Sequence, residues 1–366
     1  MENLRFIGLD VHKESIAIAI AESGRSAPVS WGTIPNDTKI LLKTLRKIGS
    51  AETLRTCYEA GPTGFGLYRA VLEAGIVCDV VAPSLIPKQA GDRVKTDQRD
   101  AMKLAKFLRS GDLTSIHVPD AETEAIRDLE RSREDAKNME RAARHQLSKF
   151  LLRHGRRYDG KSWTQKHLDW IRKQIFDHEA QNRVLVDYVQ AVESATARVG
   201  RLTKDIGDVI ETWALKPLVT AFQALRGVQL LTAVTLAAEI GDFRRFESAS
   251  SFMAYVGLVP SEHSSGDSKR KGHITRAGNS RVRRLLVESA WSYRFRPTMS
   301  REIRKRNEPV SPGVQAIAWK AQHRLHGRYR KLLARGKNAQ KMITAVAREL
   351  SGFVWSIGQQ EGLLAN

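Results

Sequence analysis

The run Leu4-Arg5-Phe6-Ile7-Gly8-Leu9-Asp10 is an apolar strand that ends on a carboxylate. An acid closing a buried strand is costly without a partner, so this run calls both for a sheet that buries it and for something to offset its charge. A second strand run, SIAIAI over residues 15–20, follows after a short turn, and ESGRSAP reads as a loop from its Gly, Ser and Pro content. A third strand covers Val29–Ile34. Residues 38–48 have helical spacing, with Ile40, Leu41, Leu45 and Ile48 on one face. Leu54–Glu59 is then a strand, Gly64–Glu73 a helix and Ile76–Ala82 a strand, and a helix from about Asp97 to Arg109 closes the segment. A strand meander followed by alternating strands and helices predicts an α/β domain with a mixed sheet over residues 1–118.

Residues 119–215 change character. Leu185, Tyr188, Val192, Ala195, Val199, Leu202, Ile206, Val209 and Trp213 recur at spacings of 3 and 4. That is the seam of a coiled coil. Residues 122–152 form a second long helix, which pairs with the first either as a hairpin within the chain or as a dimer between chains. Residues 216–366 make up a third, mostly helical region. In it Leu225-Arg226-Gly227-Val228 precedes a helix over Leu230–Ile240. A glycine turn feeding a helix N-terminus is either half of a helix-hairpin-helix, offering N–H groups to phosphate, or an ordinary helical hairpin. Residues 261–280 read as a polar loop or ribbon. The helix after it, about Arg281–Tyr293, buries Val282, Leu285, Leu286 and Ala290 and leaves Arg281, Arg283 and Arg284 facing outward.

Charge narrows the class of partner. The chain of 366 residues carries a formal net charge of +20. Residues 261–341 hold 21 Lys and Arg against 5 Asp and Glu, whereas residues 1–118 hold 16 against 13. A basic excess so concentrated in the C-terminal part points to nucleic acid. No run reaches the roughly 18 apolar residues a membrane span needs, and no secretory signal is expected from the N-terminus. Cys57 and Cys78, in apolar strand runs, read as buried thiols of a reducing cytosol.

Four acids stand out. Asp10 and Glu59 close strands, and Asp97 and Asp100 share one face at the start of a helix. Carboxylates at strand ends and on an adjacent helix can converge on Mg²⁺, a cation that takes oxygen ligands and serves phosphodiester chemistry. Taken singly, Asp97 is also readable as a helix N-cap and Asp100 as a first-turn acid.

Gly8-Leu9-Asp10-Val11-His12-Lys13, Glu59-Ala60-Gly61 with Thr63-Gly64, and Lys95-Thr96-Asp97-Gln98-Arg99-Asp100-Ala101 together closely resemble the DEDD-type insertion-sequence transposases, the bridge-RNA-guided recombinases. The resemblance implies an RNase H-like, RuvC-type catalytic domain with Asp10, Glu59, Asp97 and Asp100 at a Mg²⁺ site. The proline in EAGPTG departs from the shorter EATG of many relatives and leaves Glu59 in place. Gly257-Leu258-Val259-Pro260, Ser265-Gly266, Ile274-Thr275-Arg276-Ala277-Gly278-Asn279 and Arg283-Arg284-Leu285 resemble the family's C-terminal transposase domain. That likeness makes Ser265, just before a glycine, the nucleophile, with Ser264 the neighbour that would take the role one register away. From the residues alone both serines read as turn chemistry.

A serine hydroxyl is a weak nucleophile and needs a neighbouring base, cation or metal. Lys269, Arg270, Lys271 and Arg276 stand near it to neutralise an attacked phosphate, and Arg281, Arg283 and Arg284 extend the nucleic-acid-binding set. His263 and His273 are given no catalytic role. The family likeness implies donor and target DNA duplexes, a structured guide RNA, a homo-oligomer (dimer or tetramer) and a cytoplasmic, nucleoid-associated prokaryotic location, with no membrane. The alternative is a RuvC-like endonuclease without a covalent intermediate, which needs the carboxylates but not Ser265. An actin-like ATPase or sugar kinase shares the first strand pattern but lacks the later glycine-rich nucleotide loops. A non-catalytic nucleic-acid-binding protein would tolerate loss of Asp10.

Overall fold

The computed structural model describes residues 4–87, 96–262 and 271–362. The chain divides into two compact units, residues 1–118 and 119–366.

In the first unit β1 (Arg5–Val11), β2 (Ser15–Glu22) and β3 (Val29–Pro35) form an antiparallel meander, followed by α1 (Thr38–Ile48), β4 (Leu54–Glu59), α2 (Gly66–Glu73), β5 (Val77–Val81) and α3 (Asp97–Ser110). The sheet order is β3-β2-β1-β4-β5, with β1, β4 and β5 parallel. This is the mixed sheet that the strand pattern predicts. Both faces are covered. Leu41, Leu45 and Ile48 of α1 pack with Ile7, Leu9, Ile16 and Tyr58, while Ala101 and Ala105 of α3 pack with Ala17, Ala19 and Ala21. Ile40 of α1 is exposed instead, at the edge of the apolar stripe. Small residues on the second face let α3 lie close. A Cβ on Gly8 would fall on the Ala101 carbonyl oxygen and the Ala105 nitrogen. Cys57 and Cys78 are buried free thiols, and burial pushes both up, Cys78 to about 11.

The second unit opens with α4 (Ala121–Arg153), α5 (Gln165–Arg172) and α6 (Glu179–Val209). α4 and α6 pack on each other within the chain, so the coiled coil is an intramolecular hairpin. Leu185, Val192 and Ile206 are its buried seam. Val209, expected on that seam, is exposed. Ile210 is buried in its place, because the helix ends at Val209 and the chain turns, while Trp213 is buried as expected. At the tip, Phe150, Phe176, Tyr188 and His154 stack edge to face. Midway, the buried Glu140 receives Lys137, Arg144 and Thr196.

The rest comprises α7 (Lys216–Phe222), α8 (Leu230–Ile240), α9 (Ala249–Tyr255), a ribbon of β6 (Pro260–Glu262) and β7 (Lys271–Ile274), then α10 (Ser280–Ala290), α11 (Arg301–Asn307), α12 (Pro312–Ala334) and α13 (Ala339–Gly362). One apolar core joins α7, α8, α10, α12 and α13, and the hairpin root enters it through Ile126, Ile206, Ile210 and Trp213. The Gly227 turn does not open outward. Gly227 has φ +83°, and a Cβ there would meet the Ser289 carbonyl oxygen and Ser292. Close packing against the end of α10 accounts for the glycine.

Candidate metal centre

Asp10 sits one residue before the end of β1 and Glu59 ends β4. The parallel register pairs Leu9 with Tyr58, so Asp10 and Glu59 come one step later on neighbouring strands. Side chains alternate along a strand. Gly8 abuts α3, and the Cys57 thiol lies 3.6 Å from the Leu104 carbonyl oxygen of α3. Asp10 and Glu59, two residues beyond each, therefore project from the α3 face. The missing side chain at Gly8 is what allows α3 to approach this end of β1. Tyr58 donates to the Gly64 carbonyl at 3.1 Å, tethering the turn that follows Glu59.

The start of α3 supplies the other acids. Thr96 is its N-cap, accepting from the Arg99 N–H, so Asp97 occupies the first helical turn with its carboxylate free of capping duty. Asp10, His12 and Asp97 each offer one ligand atom, all within 4.8 Å of one another. His12 Nε2 lies 3.2 Å from Asp10 Oδ2 and 3.4 Å from Asp97 Oδ1. Asp100 is 3.4 Å from Lys103. Burial raises the Asp10 carboxyl above its ordinary value. His12 opposes that rise by charge and by hydrogen bond, and the charges of Asp100 and Asp97 add to it. Asp10, Asp97 and Asp100 thus feel one another, and Glu59 shares the sheet face from which Asp10 projects. Acids held this close favour a cation among them, and a set of carboxylate oxygens with one imidazole suits a divalent metal. His12 is the member missing from the sequence-based set. Its available signal was its place two residues after Asp10, just beyond the strand.

The basic residues fare differently. Ser264, Ser265, Lys269 and Arg270 lie outside the described residues; Lys271 opens β7 and Arg276 follows it. The expectation that Arg281, Arg283 and Arg284 face outward holds for Arg284, which is exposed, and is corrected for Arg281 and Arg283, which are half-buried. Arg281 pairs with Glu134 and, at 3.4 Å, with Glu130. Arg284 pairs with Glu134 at 2.6 Å and Glu288 at 3.1 Å. Arg283 donates to the carbonyl oxygens of Val256 at 3.0 Å and Ala277 at 2.7 Å. Beside them the buried Glu239 accepts from both arms of Arg131 and from Asn279. Acids of α4 hold Arg281 and Arg284 at the root of the hairpin, and backbone carbonyls hold Arg283.

Two family profiles match the chain. One, described as transposase and of the DEDD IS110 type, covers residues 7–155, and one described as transposase of the IS116/IS110/IS902 family covers residues 219–304. A putative transposase of Sinorhizobium fredii, y4qE, is 48% identical over 358 residues, spanning 97% of this chain and 88% of that protein. The chain belongs to the IS110/IS116 family of insertion-sequence transposases. The transposase for insertion sequence element IS1533 of Leptospira borgpetersenii is 32% identical over 93% of this chain and 100% of its own length. A more distant relative, the transposase for IS1111A of Coxiella burnetii, is 22% identical over 79% of this chain. As a transposase the protein is an enzyme that acts on DNA. The four carboxylates fall inside the first profile, and Ser265 with Arg276 inside the second. Among the described residues no helix is long and apolar enough to cross a membrane.

Proposed function

We propose that this transposase cuts and rejoins DNA with Mg²⁺ held by Asp10, Glu59, Asp97 and Asp100 and with Ser265 as nucleophile, on donor and target duplexes selected by a structured guide RNA. The observation that carries the reading is the meeting of Asp10 with Asp97 at the β1–α3 junction, where burial and neighbouring acids raise Asp10. The sheet order, an antiparallel meander continued by two parallel strands, supports an RNase H-like, RuvC-type domain. When bound, the metal supplies Lewis-acid charge for a phosphodiester in reaction. Asp10 and Glu59 hold it from the strands and Asp97 and Asp100 from the helix, and His12 braces the first and third of these. Ser265 forms an Oγ–phosphorus bond as the bond to one deoxyribose oxygen breaks. The hydroxyl proton ends on that leaving oxygen, and the phosphoserine link keeps the strand ready for rejoining. Lys269, Arg270, Lys271 and Arg276 neutralise the attacked phosphate. With their charges engaged by Glu130, Glu134 and backbone carbonyls, Arg281, Arg283 and Arg284 order the domain in this reading and contact nucleic acid only at its margin. Met139, Leu152 and Val186 stand exposed on the hairpin, which supports assembly into a dimer or tetramer through it.

Trapping the covalent protein–DNA adduct tests the proposal. The adduct is expected with wild type and lost in Ser265→Ala. Retention in that variant with loss in Ser264→Ala moves the nucleophile by one residue. No adduct at all, with cleavage intact, favours a RuvC-like endonuclease working by hydrolysis. Asp10→Ala and Asp97→Ala are each expected to abolish strand exchange, as is chelation of the metal. Exchange that survives these changes refutes the metal site.

A further inference from the structure

The β6–β7 ribbon, α12 and the first turns of α13 line an open cavity of about 870 Å³, within the roughly 300–1,000 Å³ range of ligand sites. Arg276, Arg328, Lys341 and Arg348 line it, with Asn338 and Thr344 beside them and, among the described residues, no carboxylate in its wall. Among the described residues the side chains of Arg276, Lys341 and Arg348 have no acidic partner, and Arg348 Nε is buried without a hydrogen bond. Arg328 lies 3.2 Å from Glu349, but Glu349 is also held by Arg324 at 2.8 Å. One carboxylate shared between two guanidiniums leaves the cavity strongly positive.

The arrangement is built rather than loosely displayed. Arg276 has φ +56°, a left-handed conformation that costs an ordinary residue about 1–2 kcal/mol. Its neighbours enforce it. Thr275 N–H donates to the Val259 carbonyl at 2.9 Å and Arg276 N–H to that of Gly257 at 3.2 Å. Gly257 and Gly278 pack so closely on Ala277 and Tyr255 that neither has room for a Cβ. On the opposite wall Asn338 Oδ1 accepts the Gln340 N–H at 2.9 Å, and the 24-residue α13 presents its positive N-terminal end. Strain of this kind marks functional positions.

We propose that this cavity is a binding site for a backbone phosphate of DNA, one that seats the strand presented to the ribbon. Guanidinium and ammonium groups make charge-assisted hydrogen bonds to phosphate oxygens; four of them converge here, and among the described residues only Arg328 has an acidic partner. The choice of DNA over another polyanion rests on the function proposed above, since Ser265 lies in sequence between β6 and β7. The phosphate contacted is one that positions the strand.

Binding of a fluorescent random-sequence DNA duplex to the full-length protein, followed by anisotropy from 50 to 200 mM salt, tests this. Lys341→Gln, an exposed and fold-neutral change, is expected to weaken binding about tenfold and to reduce the slope of log affinity against log salt by about 0.9, one phosphate contact. Arg348→Gln should do the same, and Arg348→Lys should retain most of the slope. A wild-type slope in Lys341→Gln overturns the proposal. So does a loss confined to a structured RNA probe with DNA binding unchanged. The serine assignment is read separately. If slopes fall as expected while the adduct persists in Ser265→Ala, the cavity stands and the nucleophile does not. If the adduct is lost in Ser265→Ala while Lys341→Gln keeps the full slope, the reverse holds.

Discussion

Asp10→Asn should make the metal-free protein more stable and the metal-loaded protein less responsive. The ligand atoms of Asp10 and Asp97 lie within 4.8 Å, where two like charges repel by about 1 kcal/mol in water and about 3.5 kcal/mol at an effective dielectric constant of 20. Asp97 is 61% exposed and Asp10 15%, which places the pair toward the lower figure, while Asp100 adds to the repulsion. Against this, the substitution weakens the His12 contact, an exposed pair worth up to about 1 kcal/mol. A net gain of about 0.5–1 kcal/mol is expected, or a rise in Tm of about 2–6 °C for a unit of this size. The sign agrees with linkage. Because the folded-state value of Asp10 lies above its ordinary 3.8, the folded protein binds the proton more tightly, so stability falls as pH rises from 3.8 through the folded value. The asparagine mimics the protonated form and should remove that part of the pH dependence. Thermal unfolding at pH 8, with and without excess Mg²⁺, gives both readings. Wild type should gain Tm with Mg²⁺ and Asp10→Asn should gain little. A metal-free variant that melts below wild type and keeps the full Mg²⁺ response would refute the strained-ligand reasoning.

Other perturbations read different parts of the structure. Gly8→Ala drives a methyl into the α3 backbone; a loss of about 2–3 kcal/mol and a weakened Mg²⁺ response are expected in denaturant titrations with and without the ion. Burial pushes Glu140 up, but the bond from Lys137 and the charges of Arg144 and Lys137, with Thr196, outweigh it and hold the group below its ordinary 4.5. Its contribution is therefore complete above pH 4.5 and lost as pH falls through the folded value, and Glu140→Gln should cost about 1–3 kcal/mol at pH 7 and flatten the acid limb of the hairpin's melting curve. Asn279 caps α10, accepting from the N–H groups of Arg281 and Val282, and donates to Glu239; Asn279→Ala should cost about 2 kcal/mol, and an unchanged denaturation midpoint would rule the double role out.

What the sequence made legible was local. Strand runs and helix faces follow from periods of 2 and 3.6, so the elements from β1 to α3 were foreseeable from spacing and turn chemistry, whereas Asp97 and Asp100 joined Asp10 as candidates mainly through the family likeness. Partners that arrive from far along the chain were not foreseeable. Arg281 read as part of an outward basic face because Glu130 and Glu134, which turn it inward, lie some 150 residues earlier on α4. Arg328 and Lys341 belong to the basic stretch that ends at residue 341, but only the fold brings them and Arg348 opposite Arg276. His12 was overlooked for a milder reason: its approach to Asp97 depends on the close packing of α3 that Gly8 permits. The pairing of α4 with α6 was undecidable from the seam, because heptads are equally satisfied by a helix of the same or another chain.

The hairpin has a root keyed into the C-terminal core and a tip with an aromatic core of its own, joined by a seam that repeats every seven residues. Both ends are thus indifferent to the length between them, provided it changes by whole heptads in both helices at once, about 10 Å each time. Such an arm is an evolutionary ruler. Arms of different reach follow from adding or removing graduations, with the packing at either end left untouched.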